Sequence, residues 1–294
     1  MNEPANEFLD VPTLLERSLP RPRQGWLLYA AAGFFGVVIL SYVVSSSSPQ
    51  AEALVRAFSS LVMIGLIAAM AIMMMATVRR HRSEQQQLEA VEELIQLRRW
   101  SDAAVTLNHL LSSPTRSPHT RATGLLFLTS VLARYHRFTD AITVQNHLID
   151  DVLGDPATLH ALRLGRAMAM LREDHLFDAD RAISELRRDE NAKESAGLAL
   201  IEIYRDVKTG HPQEAIEMYQ AKLPLITQQM GIRVADAHVL AAKAFDLLGR
   251  QDEAQQAYRR ATLLAPVIEL QRRYPEVKDL AGKYESAAAP AGAL

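Results

Sequence analysis

Cysteine is absent from the chain, and this absence excludes several kinds of site at once. There can be no disulfide, no thiol nucleophile and no zinc or iron–sulfur centre held by cysteine. A surplus of one charge sign is also missing, because 32 Lys and Arg residues nearly balance 34 Asp and Glu residues. Since no net positive field draws the chain to a polyanion, we expect no nucleic-acid partner.

Charged residues are missing from two long apolar runs near the N-terminus. The runs 26–44 and 57–78 contain 19 and 22 residues. As helices they would be about 28 and 33 Å long, against about 30 Å of bilayer hydrocarbon. We therefore predict two membrane spans, joined as an antiparallel hairpin by the serine- and proline-containing turn 45–49. With no ionisable residue inside either run, the hairpin is interpreted as an anchor.

Positive charges flank the predicted hairpin on its outer sides. Residues 1–25 contain Arg17, Arg21 and Arg23, and the second run is followed by Arg79, Arg80 and Arg82, whereas the loop offers Arg56 alone. This distribution predicts that both termini, and the domain after the second span, are cytoplasmic. Two alternatives stay open: a cleaved signal peptide with a site at Ala51 and Ala53, and an apolar hairpin buried in a soluble protein.

The chain after Arg82 is polar and rich in helix-forming residues. Ser83 and Gln86 fit the capping-box pattern, so a helical domain is predicted to start at residue 83. Apolar residues recur at helical spacing, and no segment alternates with the period of a strand. We therefore predict an all-α protein. Its helix breaks should fall at Pro114, Pro118, Gly154–Pro156, Gly210–Pro212, Gly231, Gly249 and Pro266.

Internal repeats divide residues 83–266 into five segments. The segments align on an alanine near the start of the second helix of each two-helix unit. These marker alanines are Ala103, Ala141, Ala179 or Ala182, Ala215 and Ala254. Their spacing of roughly 33 to 41 residues fits helix pairs with variable loops. The third copy can be aligned in either of two registers.

The last copy resembles the tetratricopeptide-repeat (TPR) family. Measured from Ala254, the family's pattern of small and large residues is met by Ala242, Phe245, Gly249, Tyr258, Ala261 and Pro266. The first two copies keep only an aromatic-x-Asp-Ala core and lack a glycine in the turn before Trp100 or Phe138. The resemblance implies an α-solenoid of about five helix pairs over 83–266, followed by a C-terminal helix and flexible tail over 267–294. A helical solenoid of another kind is the alternative.

The resemblance also implies where a partner would bind. In the family, the first helices of successive repeats line a groove that holds a peptide. By position, this groove would include Leu200, Tyr204, Lys208, Asp236, Val239, Lys243 and Asp246; the alternative is that some of them pack helix against helix. The expected function is a membrane-anchored scaffold that binds other proteins or peptides, and homo-oligomerisation is compatible with it.

No catalytic or cofactor motif accompanies these features. The nine histidines are scattered, the glycines form no phosphate loop, and no serine occupies a Gly-x-Ser-x-Gly elbow. We therefore expect no enzyme activity, cofactor or metal. The densest polar cluster contains Glu173, Asp174, His175, Asp178 and Asp180. It predicts an acidic inter-helix loop, with a metal-dependent hydrolase, or an accessory subunit of a membrane enzyme or of a secretion or envelope complex, as alternatives.

Overall fold

The structure is a computed structural model that describes residues 9–20, 33, 35, 36, 49–115, 117–150, 156–188 and 195–284. Every regular element in these ranges is a helix, and none of the described residues lies in a β-strand. The predicted all-α class is therefore confirmed. The chain forms two compact units, Met1–Tyr135 and His136–Leu294.

The described helices of the first unit pack around one small core. They are α1 (Val11–Arg17), α2 (Pro49–Gln96), α3 (Trp100–Leu111) and α4 (Pro118–Arg134). The C-terminal part of α2 packs against α3 and α4, where Val91, Leu107 and Leu125 are fully buried. The helices α2 and α3 therefore form the first of the predicted helix pairs.

The helix α2 is continuous over 48 residues, which corresponds to about 72 Å. It has no proline after Pro49 and no glycine after Gly65, so nothing interrupts its hydrogen bonds at the polar residues 79–83. The predicted helix start at Ser83 is wrong. The capping-box pattern falls inside a helix that has already begun, where the preceding turn provides the carbonyl partners.

One helix in the described part of the chain is long and apolar enough to cross a membrane. It is the stretch Val62–Gln96 of α2, and its most apolar 18-residue window is not buried at all. A helix that is apolar on all faces and unburied suits lipid better than water. The other predicted span, 26–44, lies outside the described residues apart from 33, 35 and 36.

The segment around α1 packs onto the first unit. Leu9, Val11 and Leu14 are buried. The hydroxyl of Thr115 donates to the backbone carbonyl of Ser18 at 2.9 Å. The buried guanidinium of Arg121 donates to the Ser18 hydroxyl at 3.1 Å and to the Leu15 carbonyl at 3.2 Å. Residues 9–18 therefore contact a part of the chain that follows α2.

The second unit contains the remaining described helices. They are α5 (Phe138–Asp150), α6 (Pro156–Arg172), α7 (Leu176–Arg188), α8 (Ala196–Lys208), α9 (Pro212–Met230), α10 (Val234–Leu247), α11 (Gln251–Leu264), α12 (Val267–Arg273) and α13 (Lys278–Tyr284), with 3-10 turns at Gly231–Arg233 and Pro275–Val277. The helices pack in hairpins, α6 with α7, α8 with α9, and α10 with α11. The most deeply buried of them are α8 and α10, the first helices of the fourth and fifth pairs.

Five turns in the chain share one backbone form. Each has three residues between two helices, and the middle residue has a positive φ. These residues are Arg98 (φ 60°), His136 (59°), Asp174 (62°), Gly210 (79°) and Gly249 (73°). A left-handed residue ends a helix, which glycine does without strain and an L-residue at a cost of about 1–2 kcal/mol. The first three turns are thus formed without the glycine that the last two contain.

The turns also place the marker alanines. Five positions after each positive-φ residue, an alanine N–H donates to the carbonyl of the third turn residue. The donors are Ala103, Ala141, Ala179, Ala215 and Ala254, at 3.0–3.2 Å. Each of them is buried, with at most 1% of its surface exposed. The third copy therefore follows the register of Ala179, and not that of Ala182.

The second predicted pair is divided between the two units. Its first helix, α4, belongs to the first unit and packs against α2 and α3. Its second helix, α5, belongs to the second unit and packs against α6. The boundary falls within the turn 135–137.

Candidate functional site

The residues expected to line a groove lie on α8 and α10, and the structure covers all of them. Leu200, Tyr204, Asp236 and Val239 are buried, and Lys208, Lys243 and Asp246 are partly buried. Leu200 and Val239 belong to the hydrophobic core, so these two pack helix against helix. The other five contact the segment of the chain that follows Pro266. We name their side of α8 and α10 the strap face.

The covering segment is Val267–Tyr284, which we name the C-terminal strap. It contains α12, the 3-10 turn Pro275–Val277 and α13. Pro275 has no N–H and cannot continue α12, so the chain turns there. The apolar side of the strap faces the domain, and its buried residues are Leu270, Tyr274, Val277, Leu280, Ala281 and Tyr284. The strap is thus two short helices joined by the turn at Pro275.

Two tyrosines form the centre of the contact between the strap and its face. The rings of Tyr204 and Tyr274 meet edge to face, with centroids 5.1 Å apart, and neither side chain is exposed. The hydroxyl of Tyr204 donates to Glu276 at 2.9 Å. Burial, together with the charge of Glu276, raises the pKa of Tyr204 above its ordinary value, so the hydroxyl stays protonated and remains a donor. The Arg172 guanidinium lies 5.6 Å from the Tyr274 ring centroid, a cation–π contact.

Ion pairs of both orientations surround this aromatic centre. They are Lys208 with Glu276 (3.2 Å), Asp236 with Arg273 (2.7 Å), Lys243 with Asp279 (2.6 Å) and Asp246 with Lys283. The hydroxyl of Tyr284 also donates to Asp246 at 2.6 Å. Burial opposes the ionisation of Asp246, but the hydrogen bonds from Lys283 and Tyr284 outweigh it and hold the pKa of this carboxyl below its ordinary value. The strap is therefore matched to its face in charge as well as in shape.

Several polar atoms at the contact between the strap and its face have no hydrogen-bond partner among the described residues. They are Nε of Arg172, Oδ2 of Asp236, the hydroxyl of Tyr274 and Oε2 of Glu276, and all four are buried. Asp236 Oδ2 lies 3.6 Å from the Arg233 guanidinium, an ion pair without a hydrogen bond. A buried unpaired polar atom typically costs about 1–3 kcal/mol. The contact is thus close in packing but incomplete in its hydrogen bonding.

The residues assigned to repeat packing occupy two kinds of position. Most of them are buried, namely Ala103, Ala141, Ala215, Ala242, Phe245, Ala254, Tyr258 and Ala261. Gly249 and Pro266 are exposed. Gly249 provides a positive φ in the turn before α11, and Pro266 precedes α12 with extended backbone. The small residues thus lie inside the fold, and the two backbone-specific residues lie at helix ends.

Acidic side chains in the cluster around His175 form ion pairs or hydrogen bonds with other residues of the protein. Asp174 lies 2.8 Å from Lys208, Asp180 lies 3.8 Å from Arg205, and Glu173 accepts a hydrogen bond from Thr139 at 3.1 Å. Within the described ranges, no three histidine or acidic side chains converge as metal ligands would. The cluster therefore acts as an ion-paired turn in this structure.

Two features, one of the turns and one of the strap face, were not found from the sequence. One is a basic residue in the third turn position followed three residues later by an acid, as in Arg99 with Asp102 (2.7 Å) and Arg137 with Asp140 (2.6 Å). The other is the strap contact, whose signal is a set of opposite charges 36 or 37 positions apart, such as Asp236 and Arg273. No family model, curated protein or solved structure matches this chain.

Proposed function

We propose that this protein is a membrane-anchored scaffold that binds other proteins through TPR-like helix pairs. The recurring turn supports this proposal, because the same three-residue connection and the same buried alanine occur at all five predicted copies. Repeats of this kind stack to form continuous binding surfaces. The five copies predicted from the sequence and the five recurring turns therefore fall at the same positions in the chain.

The observation that carries the proposal is the strap contact itself. The first helices α8 and α10 hold a segment of polypeptide through an aromatic centre and ion pairs of both signs. Buried aromatic anchors within a polar surround are the usual form of a protein-recognition surface. We infer that this side of the helix pairs is built to hold a peptide.

The N-terminal segment supports a two-span topology. Residues 9–18 contact Thr115 and Arg121, which lie beyond α2 in the chain. If α2 crosses the membrane once, the chain must cross a second time between residues 18 and 49 for the two parts to meet on one side. The run 26–44 is long and apolar enough for that crossing. With the flanking arginines, we place both termini and the helix pairs in the cytoplasm.

Cysteine labelling tests this topology on a chain that has no cysteine of its own. We expect a single cysteine at Ser47, in the loop between the spans, to react with a membrane-impermeant maleimide on intact cells. A cysteine at Ser286, in the C-terminal tail, should react only after permeabilisation. Labelling of the tail but not of the loop on intact cells would refute the proposed orientation.

Crosslinking in native membranes tests the scaffold function. We expect partner proteins recovered with the full chain to be lost in the face-reversed variant Lys208→Glu, because Lys208 lies on the strap face and pairs with an acid there. The matched control reverses one exposed charge of α11, Arg259→Glu, and should recover the same partners. Mass spectrometry identifies the crosslinked proteins. Identical partner sets from both variants would show that the strap face is not the binding surface.

A further inference from the structure

The strap contacts its face through the kinds of side chain that a bound peptide uses. Around its 3-10 turn, Arg273 contacts Asp236, Tyr274 contacts Tyr204, and Glu276 contacts Lys208 and Tyr204. Arginine, an aromatic ring and an acid thus occur within four consecutive residues around Pro275. Each of these side chains contacts a complementary group on the strap face.

The hydrogen bonding between the strap and its face is incomplete around Tyr274. The Tyr274 hydroxyl, Glu276 Oε2, Asp236 Oδ2 and Arg172 Nε are buried and lack hydrogen bonds among the described residues. An incompletely paired polar contact contributes less net stability than its packing alone would indicate. A segment that pairs Asp236 Oδ2 and Arg172 Nε, the two atoms outside the strap, would therefore have an advantage over it.

The ion pairs at the α13 end of the strap are partly open to solvent. The side chains of Asp279 and Lys283 are 59% and 42% exposed, and their partners Lys243 and Asp246 are 14% and 13% exposed. Exposed ion pairs contribute little and are weakened by salt. This end of the strap is therefore the end at which separation from the face is easiest.

We propose that the strap is an internal ligand of its face, and that a partner peptide with the order arginine, aromatic, proline, acid binds there by displacing it. The inference rests on the proposed scaffold function for the existence of such a partner. The strap then sets the affinity of the face, because any partner must compete with a segment that is tethered in place. Loosening the strap should strengthen binding, since the apparent affinity depends on the fraction of uncovered face.

The test uses the full chain in lipid nanodiscs and a fluorescein-labelled synthetic peptide of residues 266–284 as the probe. Fluorescence anisotropy measures binding of the peptide. In the strap-reversed variant, Asp279→Lys with Lys283→Glu, each altered side chain faces a like charge on α10. We expect this variant to bind the probe about tenfold more tightly than the unaltered chain. The probe carrying Tyr274→Ala should bind at least about tenfold more weakly to the same variant.

A matched control changes an exposed charge in the same helix. Lys278→Glu lies on the solvent side of α13 and should leave the affinity within about twofold. Should the strap-reversed variant fail to fold, as judged by circular dichroism, the milder Asp279→Ala is expected to increase affinity about two- to fivefold. Equal affinity of the unaltered chain and the loosened variant would overturn the inference.

Failure of this inference can be told apart from failure of the proposed function. The probe is the chain's own segment, so its binding requires no partner protein. Tighter probe binding by the loosened variant, without any partner recovered by crosslinking, would refute the scaffold function alone. Partner recovery without an effect of strap loosening would refute the displacement alone.

Discussion

Replacing Tyr204 with alanine is expected to destabilise the second unit by about 3–5 kcal/mol, the usual cost of removing a large buried ring. Tyr204 is completely buried, packs edge to face on Tyr274 and belongs to the main hydrophobic core. The change would also remove the hydrogen bond to Glu276. Urea unfolding of the full chain in detergent, followed by circular dichroism, measures the loss.

Phenylalanine at the two tyrosines separates the contribution of the ring from that of the hydroxyl. Tyr204→Phe removes a hydrogen bond to a carboxylate and should cost about 1.5–3 kcal/mol. Tyr274→Phe removes a buried hydroxyl that has no partner among the described residues, so it should be neutral or stabilising. Equal losses from both changes would contradict the hydrogen-bond assignment at this site.

Replacing Ala254 with leucine is expected to cost about 1–3 kcal/mol through overpacking. Ala254 is fully buried in the hairpin of α10 with α11, and its N–H is fixed to the Arg250 carbonyl at 3.0 Å. Three additional heavy atoms cannot be placed there unless the two helices separate. Because neighbouring helix pairs share interfaces, the loss should also increase hydrogen exchange in α8 and α9.

The control for Ala254 is a leucine at an exposed position of the same helix. Gln255, which follows Ala254 directly, is partly buried, whereas Gln256 is exposed. Gln256→Leu should therefore change the free energy of unfolding by no more than about 0.5 kcal/mol. If both leucine variants unfold at the same urea concentration, Ala254 does not lie at a close helix contact.

Helix type and most helix ends could be predicted from the sequence because their signals are local. Pro118, Pro156 and Pro212 each stand at the first position of a helix, where a missing N–H has no cost. Gly210 and Gly249 mark turns that need a positive φ. Each of these residues acts on the backbone of its own neighbours, so no tertiary information is needed.

Other features depended on information that no local pattern contains. Arg98, His136 and Asp174 adopt a positive φ although nothing in these residue types requires it, and only the repeat register reveals that they are equivalent to the glycines. The strap joins residues 36 or 37 positions apart in the sequence, and in the case of Tyr204 and Glu276 it joins residues 72 positions apart. A groove predicted by position from a family pattern could not include the segment that covers it.

In the proposed topology, the continuous helix α2 would join the bilayer directly to the first helix pair. No flexible linker separates Val78 from Val91, which is fully buried against α3 and α4. A change in the tilt of the apolar half of α2 would therefore displace α3 and α4, and a rotation of α2 about its axis would rotate them with it. Each residue of α2 between its apolar half and Val91 adds about 100° of rotation and 1.5 Å of length. In the proposed topology, the number of residues from 79 to 83 would thus set the direction in which α3 and α4 face along the membrane surface.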